Sequence, residues 1–195
     1  MGILQRHFHI LMMARLAALA LLGLVFTQAS ALAAQDDARL DDMFAKLRLA
    51  ETNQHARPLE KEIWRIWSER NDEKSNELMR NGALAMSHRN YNAALINFNS
   101  LVDHDPEFAE AWNKRATLHY LMGEFSASIK DIERTLALEP RHFGALSGMG
   151  LIFMAIGNDA AAVKSFEKAL EINPHMPGPK YHMETLKKRL AGSPT

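Results

Sequence analysis

The 195-residue sequence contains no cysteine. That excludes disulfides, thiolate metal sites, thiol catalysis and lipidation on a cysteine, so stability has to come from packing. Charge of one sign is missing too. The 23 Lys and Arg are matched by 23 Asp and Glu, which removes any global electrostatic case for nucleic acid as a partner. No GxSxG, P-loop or Rossmann glycine pattern occurs, and none of the nine histidines forms an i, i+4 pair with an adjacent Glu as in zinc proteases. The densest polar cluster, Asp103-His104-Asp105, precedes Pro106, where a solvated helix-ending turn is expected. His119 falls in an otherwise apolar column with Ala85 and Phe153 and is expected to be a hydrogen-bonded core histidine. No catalytic residue, metal or cofactor is predicted.

What is present begins with a leader. Arg6, His7, His9 and Arg15 make a basic start, and Leu16 to Phe26 is an apolar run of signal-sequence length. Thr27, Gln28 and Ser30 break it, and Ala31-Leu32-Ala33 offers the small residues a signal peptidase accepts. Cleavage is expected after Ala33, with residues 1–33 as the signal peptide and a periplasmic or secreted product that keeps no stable membrane span. The alternative is an N-terminal anchor in the inner membrane, since Leu16 to Gln35 carries no charge.

A repeat organises the remainder. Pro106, Pro140 and Pro174 are 34 residues apart, and segments 75–108, 109–142 and 143–176 align without insertion. Their fourth positions are Leu78, Trp112 and Leu146; the eighth are Gly82, Ala116 and Gly150; the tenth are Leu84, Leu118 and Ile152. Further on come a small column (Ala94, Ser128, Ala162) and a large one (Phe98, Ile132, Phe166). Each segment carries two amphipathic patterns, divided by Arg89-Asn90, Gly123-Glu124 or Gly157-Asn158, where glycine or asparagine can take the left-handed conformation that ends a helix. The small columns let two backbones approach while large residues fill the flanks. Asp159 departs from the aromatic column of Tyr91 and Phe125 and is expected to cap its helix.

This pattern resembles the tetratricopeptide repeat (TPR) family. The resemblance implies an all-α fold, a right-handed superhelical stack of helix-turn-helix hairpins. Residues 75–176 would form three clear repeats, 34–74 a degenerate N-terminal hairpin and 177–195 a capping helix and tail. In the flanking hairpin, Leu40, Phe44 and Leu47 mark one helix, and Leu59, Ile63, Ile66 and Trp67 a second, entered at Pro58. Glu60 occupies the small column of that register. Trp64 and Trp67 are expected to seal the first true repeat, the alternative being an exposed partner-binding pair. Lys187, Lys188 and Arg189 close the last helix, where cations suit the helix dipole and solvation is the expected fate.

The resemblance also implies a concave groove lined by the first helix of each unit. Its positions are Asn76, Met79, Arg80, Ala83 and Met86 in the first unit. The second gives Glu110, Asn113, Lys114, Thr117 and Tyr120, and the third Gly144, Ser147, Leu151 and Met154. Some family members grip a carboxylate with paired Asn, Lys and Arg; Arg80, Asn113 and Lys114 would supply part of that, but Gly144 and Gly148 stand at the third unit's basic positions. The glycines either admit a partner backbone or are merely tolerated. The expectation is a scaffold or adaptor of the bacterial envelope, not an enzyme, that binds a protein or peptide partner in the groove. The alternative is a structural or self-associating subunit that uses its terminal helices.

Overall fold

The computed structural model describes residues 37–192; the expected leader and its cleavage site lie outside the described residues. Among the described residues the structure is all helical, with no strand. Helices α1 (Ala38–Leu49) and α2 (Asn53–Ser68) form an N-terminal hairpin. Three further hairpins follow: α3 (Glu73–Ser87) with α4 (Tyr91–His104), α5 (Ala109–Leu121) with α6 (Phe125–Leu138), and α7 (Phe143–Ala155) with α8 (Asp159–Ile172). Helix α9 (Pro177–Gly192) ends the stack. No described helix is long and apolar enough to cross a membrane.

Local signals explain these ends. In each repeat the first helix closes with an amide bonded back to the carbonyl five residues earlier: Asn90 to Ala85, Glu124 to His119 and Asn158 to Phe153. This geometry needs a left-handed residue, supplied by Gly123 and Gly157, both at φ 77°, and by Arg89 at φ 59°. In the first unit the expected residue was the asparagine; Asn90 instead caps α4 by accepting from the Ala93 amide. Arginine bears a left-handed strain of about 1–2 kcal/mol there. Asn158 likewise caps α8 through the Ala161 amide, so the cap is Asn158 and not Asp159. Asp159 is held by Arg189 of α9, and Lys187 pairs with Glu167, so the last helix is pinned by ion pairs rather than merely solvated. Pro58 does not open α2 either, because Thr52 caps the helix one turn and a half earlier by accepting from the His55 amide.

Side-chain size is matched across each unit. A Cβ on Gly82 would stand 2.5 Å from the Phe98 ring, and one on Gly150 would stand 2.5 Å from Phe166. In the second unit both partners change together, Ala116 meeting the smaller Ile132. Those rings are buried, and each contributes on the order of 1.5–3 kcal/mol.

The N-terminal hairpin departs from expectation. Its core of Leu40, Phe44, Leu47, Ile63, Ile66 and Trp67 closes on Phe143 of the third unit, backed by Ile172 and Met176. The first repeat is not what the tryptophans seal. The tryptophans pack instead on His142 and Phe143, and Glu60, which holds the small column's position in that register, adds a polar tie on the same side. Its carboxylate accepts from the Asn173 side-chain amide beyond α8. The cluster around His104 also joins elements, because His104 bonds Asp72 and Asp105 pairs with Arg70.

Candidate functional site: a divided concave groove

Helices α3, α5 and α7 present the predicted groove positions, and α2 lies across part of them. The Trp64 ring packs on Gly144, where a Cβ would come within 2.5 Å of it. Trp64 meets Phe143 and His142 edge-on at 5.5 and 5.3 Å, and Lys114 approaches its face at 5.9 Å. Gly144 thus admits a close approach, but by this chain's own indole. Trp67 is fully buried, stacked on His142 at 4.2 Å, and its indole N–H donates to Glu139 at 3.4 Å.

Beneath the tryptophans runs a buried polar network. The Ala145 amide donates to His142 Nδ1 at 3.0 Å, which leaves the proton on Nε2 to donate to Glu110 at 2.9 Å. Asn113 donates to the same carboxylate at 2.8 Å, and Lys114 pairs with it at 3.0 Å. Burial works against the charge on Glu110, yet the His142 hydrogen bond and the Lys114 charge outweigh it and hold the carboxyl below the ordinary glutamate range. The cation and the amide that would have faced a ligand's carboxylate are therefore already engaged by one.

The structure brings together six of the predicted positions. Asn113, Thr117 and Tyr120 of α5 and Gly144, Ser147 and Leu151 of α7 line one cleft of about 220 Å³, together with Gly148, Ile132 and Met176. The first unit's set lies elsewhere. Asn76 is tied to the backbone of Arg70, Met79 and Met86 pack in the first unit's core, and Arg80 pairs with Glu73. Ala83 is half-buried on α3, and Met154 packs with Leu186 of α9 in the cluster around Phe166. Sequence reasoning missed Glu110 and His142 as a pair. The signal was available: His142 stands where the neighbouring units carry Phe108 and Met176, and a polar residue in that apolar column needs a partner.

Comparison with known proteins agrees with this architecture. A TPR repeat-containing protein of Rhizobium etli is 36% identical over 157 residues, covering 80% of this chain and 77% of that one. The chain belongs to the tetratricopeptide repeat family. A tetratricopeptide repeat profile matches residues 113–177, from inside the second TPR unit through the third and one residue beyond it. Small glutamine-rich tetratricopeptide repeat-containing protein 2 of Saccharomyces cerevisiae is 26% identical over 99 residues, 51% of this chain but only 29% of that protein. Among solved structures, the first TPR of Spaghetti (RPAP3) bound to the HSP90 peptide SRMEEVD superposes with TM-score 0.60 at 21% identity, covering 63% of this chain and 97% of that one. MamA superposes with TM-score 0.57 at 20% identity, covering 71% and 79%. Both are likenesses of TPR fold.

Proposed function

We propose that this TPR protein is a non-enzymatic interaction scaffold or adaptor of the bacterial envelope, exported by its leader, which holds a partner's peptide segment on its concave side. The observation that carries the reading is the cleft between α5 and α7, where groove positions from two successive units converge on one space. A TPR domain seen with a bound peptide supports the same class of activity. Affinity is expected near micromolar, because a linear segment has to be ordered on binding.

Partner capture from cells tests it. Thr117→Arg with Ser147→Arg places two long cations at the cleft mouth without touching the core. A partner bound through the cleft is lost from the variant; recovery at unchanged yield rejects the site. Cell fractionation with N-terminal sequencing tests the location. A periplasmic chain beginning at Ala34 agrees with it, whereas retention of Met1 or Gly2 favours the anchored form. For self-association, Trp64 and Trp67 are engaged within the chain, which leaves Leu49 on α1 and Tyr181 and Leu190 on α9 as exposed apolar residues of the terminal helices. Light scattering that returned a clean monomer would set that reading aside.

A further inference from the structure

The open cleft has three properties that together specify a ligand. Its size is the first: about 220 Å³ is below the roughly 300–1,000 Å³ of sites that enclose whole small molecules, so it suits one large side chain. The second is its chemistry. Tyr120, Ile132, Leu151 and Met176 supply apolar wall, and the hydroxyls of Thr117 and Ser147 supply hydrogen-bonding atoms without charge. The third is electrostatic. Lys114 and Asn113 are bound to the buried Glu110, so that cation is already balanced within the fold, and none of the residues lining the cleft is charged. A carboxylate placed there would lose its hydration without gaining a counter-charge.

Continuity with the seat of α2 adds to this. Gly144 lines the cleft and also underlies the Trp64 ring, so the groove already accepts an uncharged aromatic side chain beside this space. Gly148, one turn on, has no comparable neighbour: a Cβ there would meet only the Ile132 methyl, at 3.7 Å.

We propose that the cleft is an anchor pocket for a single uncharged, apolar side chain of a partner peptide, and that it discriminates against acidic side chains and C-terminal carboxylates. This rests on the peptide-binding reading above and gives it a ligand class. The Spaghetti TPR domain was solved with a peptide that ends in Glu-Glu-Val-Asp, so the two grooves would read opposite chemistries.

The test uses amide chemical shifts of 15N-labelled protein, purified as the cell processes it, titrated with N-acetyl-leucinamide, N-acetyl-phenylalaninamide and N-acetyl-aspartate. Saturable shifts at Thr117, Ser147, Gly148 and Leu151 are expected with the two apolar amides in the millimolar range. N-acetyl-aspartate should need at least tenfold more. Gly148→Leu puts a large side chain into the cleft and should abolish the response; should it fold poorly, Gly148→Ala should still weaken binding severalfold. Equal or better binding of N-acetyl-aspartate overturns the proposal, as do shifts indifferent to the Gly148 substitutions or no saturable response at all. Partner capture is read separately. A partner lost on arginine substitution at the mouth while apolar amides are refused sinks only the ligand class, and the converse sinks only the scaffold reading.

Discussion

The first repeat and the two that follow differ at one column, and that difference shows how the N-terminal hairpin is used. Leu118 and Ile152 are 0% and 1% exposed because a preceding unit stacks against each, whereas the equivalent Leu84 is 59% exposed. A fourth hairpin exists in the chain, but it covers the third unit's concave face instead of the first unit's end. The same length of helix can extend a stack or wall off its groove, and here the contacts of Trp64 and Trp67 with His142 and Phe143, with the Asn173–Glu60 bond, hold it at the groove. The sharpest way to break this comparison is Trp67→Ala. It removes a fully buried indole, its stack on His142 and its bond to Glu139. A loss of about 3–5 kcal/mol is expected, read as a lower urea midpoint. A loss below about 1 kcal/mol would mean that α2 is only loosely seated.

Two glycines one turn apart make the next test, with opposite signs expected. Gly144→Ala drives a methyl into a Trp64 ring already boxed by His142 and Phe143. Overpacking of this kind costs about 1–3 kcal/mol, offset in part by the better helix propensity of alanine. Gly148→Ala meets one methyl at an ordinary distance and gains that propensity, so it should stabilise by up to about 1 kcal/mol. Thermal melts of the two variants check the pair. If both stabilise, the Trp64 contact is not holding the groove closed.

The repeat was legible because its constraints are local and recur. The eighth-column glycines announce the rings of Phe98 and Phe166, and Gly123 and Gly157 announce their turns. The destination of α2 was not legible. Its stripe of Ile63, Ile66 and Trp67 says that a face must be buried, and nothing in a stripe names the surface that buries it. Arg89 and Asn90 show the same limit at small scale. Both fit the turn, but helix capping claims the asparagine and leaves the strained position to arginine. The cleft was half legible: six of the residues that line it occupy the periodic positions, and Glu110 meets Asn113 and Lys114 at local i, i+3 and i, i+4 spacing within α5, whereas the His142 that bonds the same carboxylate comes from the turn before the next unit.

That network gives a smaller, pH-dependent effect. The Glu110 carboxyl is held below its ordinary value in the folded chain, so its contribution to stability is full above the unfolded pKa of about 4.3 and is lost as pH falls through the folded one. Glu110→Gln keeps an acceptor for the His142 N–H but removes the charge opposite Lys114. At neutral pH it should cost on the order of 1–2 kcal/mol. The gap between the wild-type and variant unfolding midpoints should then narrow as the pH drops below about 4. A gap independent of pH would show that the carboxylate's charge contributes nothing to joining the second and third units.

The smallest effect is assigned to the residue that opened the contrast. Leu84→Ser lies in the same column as Leu118 and Ile152, where truncation of a buried side chain costs about 2–5 kcal/mol. With 59% of its surface exposed, Leu84 has little burial to lose, and the substitution should change stability by about 0.5 kcal/mol or less. Leu118→Ala in parallel supplies the scale, measured by urea unfolding under the same conditions. A cost at Leu84 approaching that at Leu118 would mean that something stacks on the first unit in solution, and the hairpin's place across the groove would then have to be shared with a place at the end of the stack.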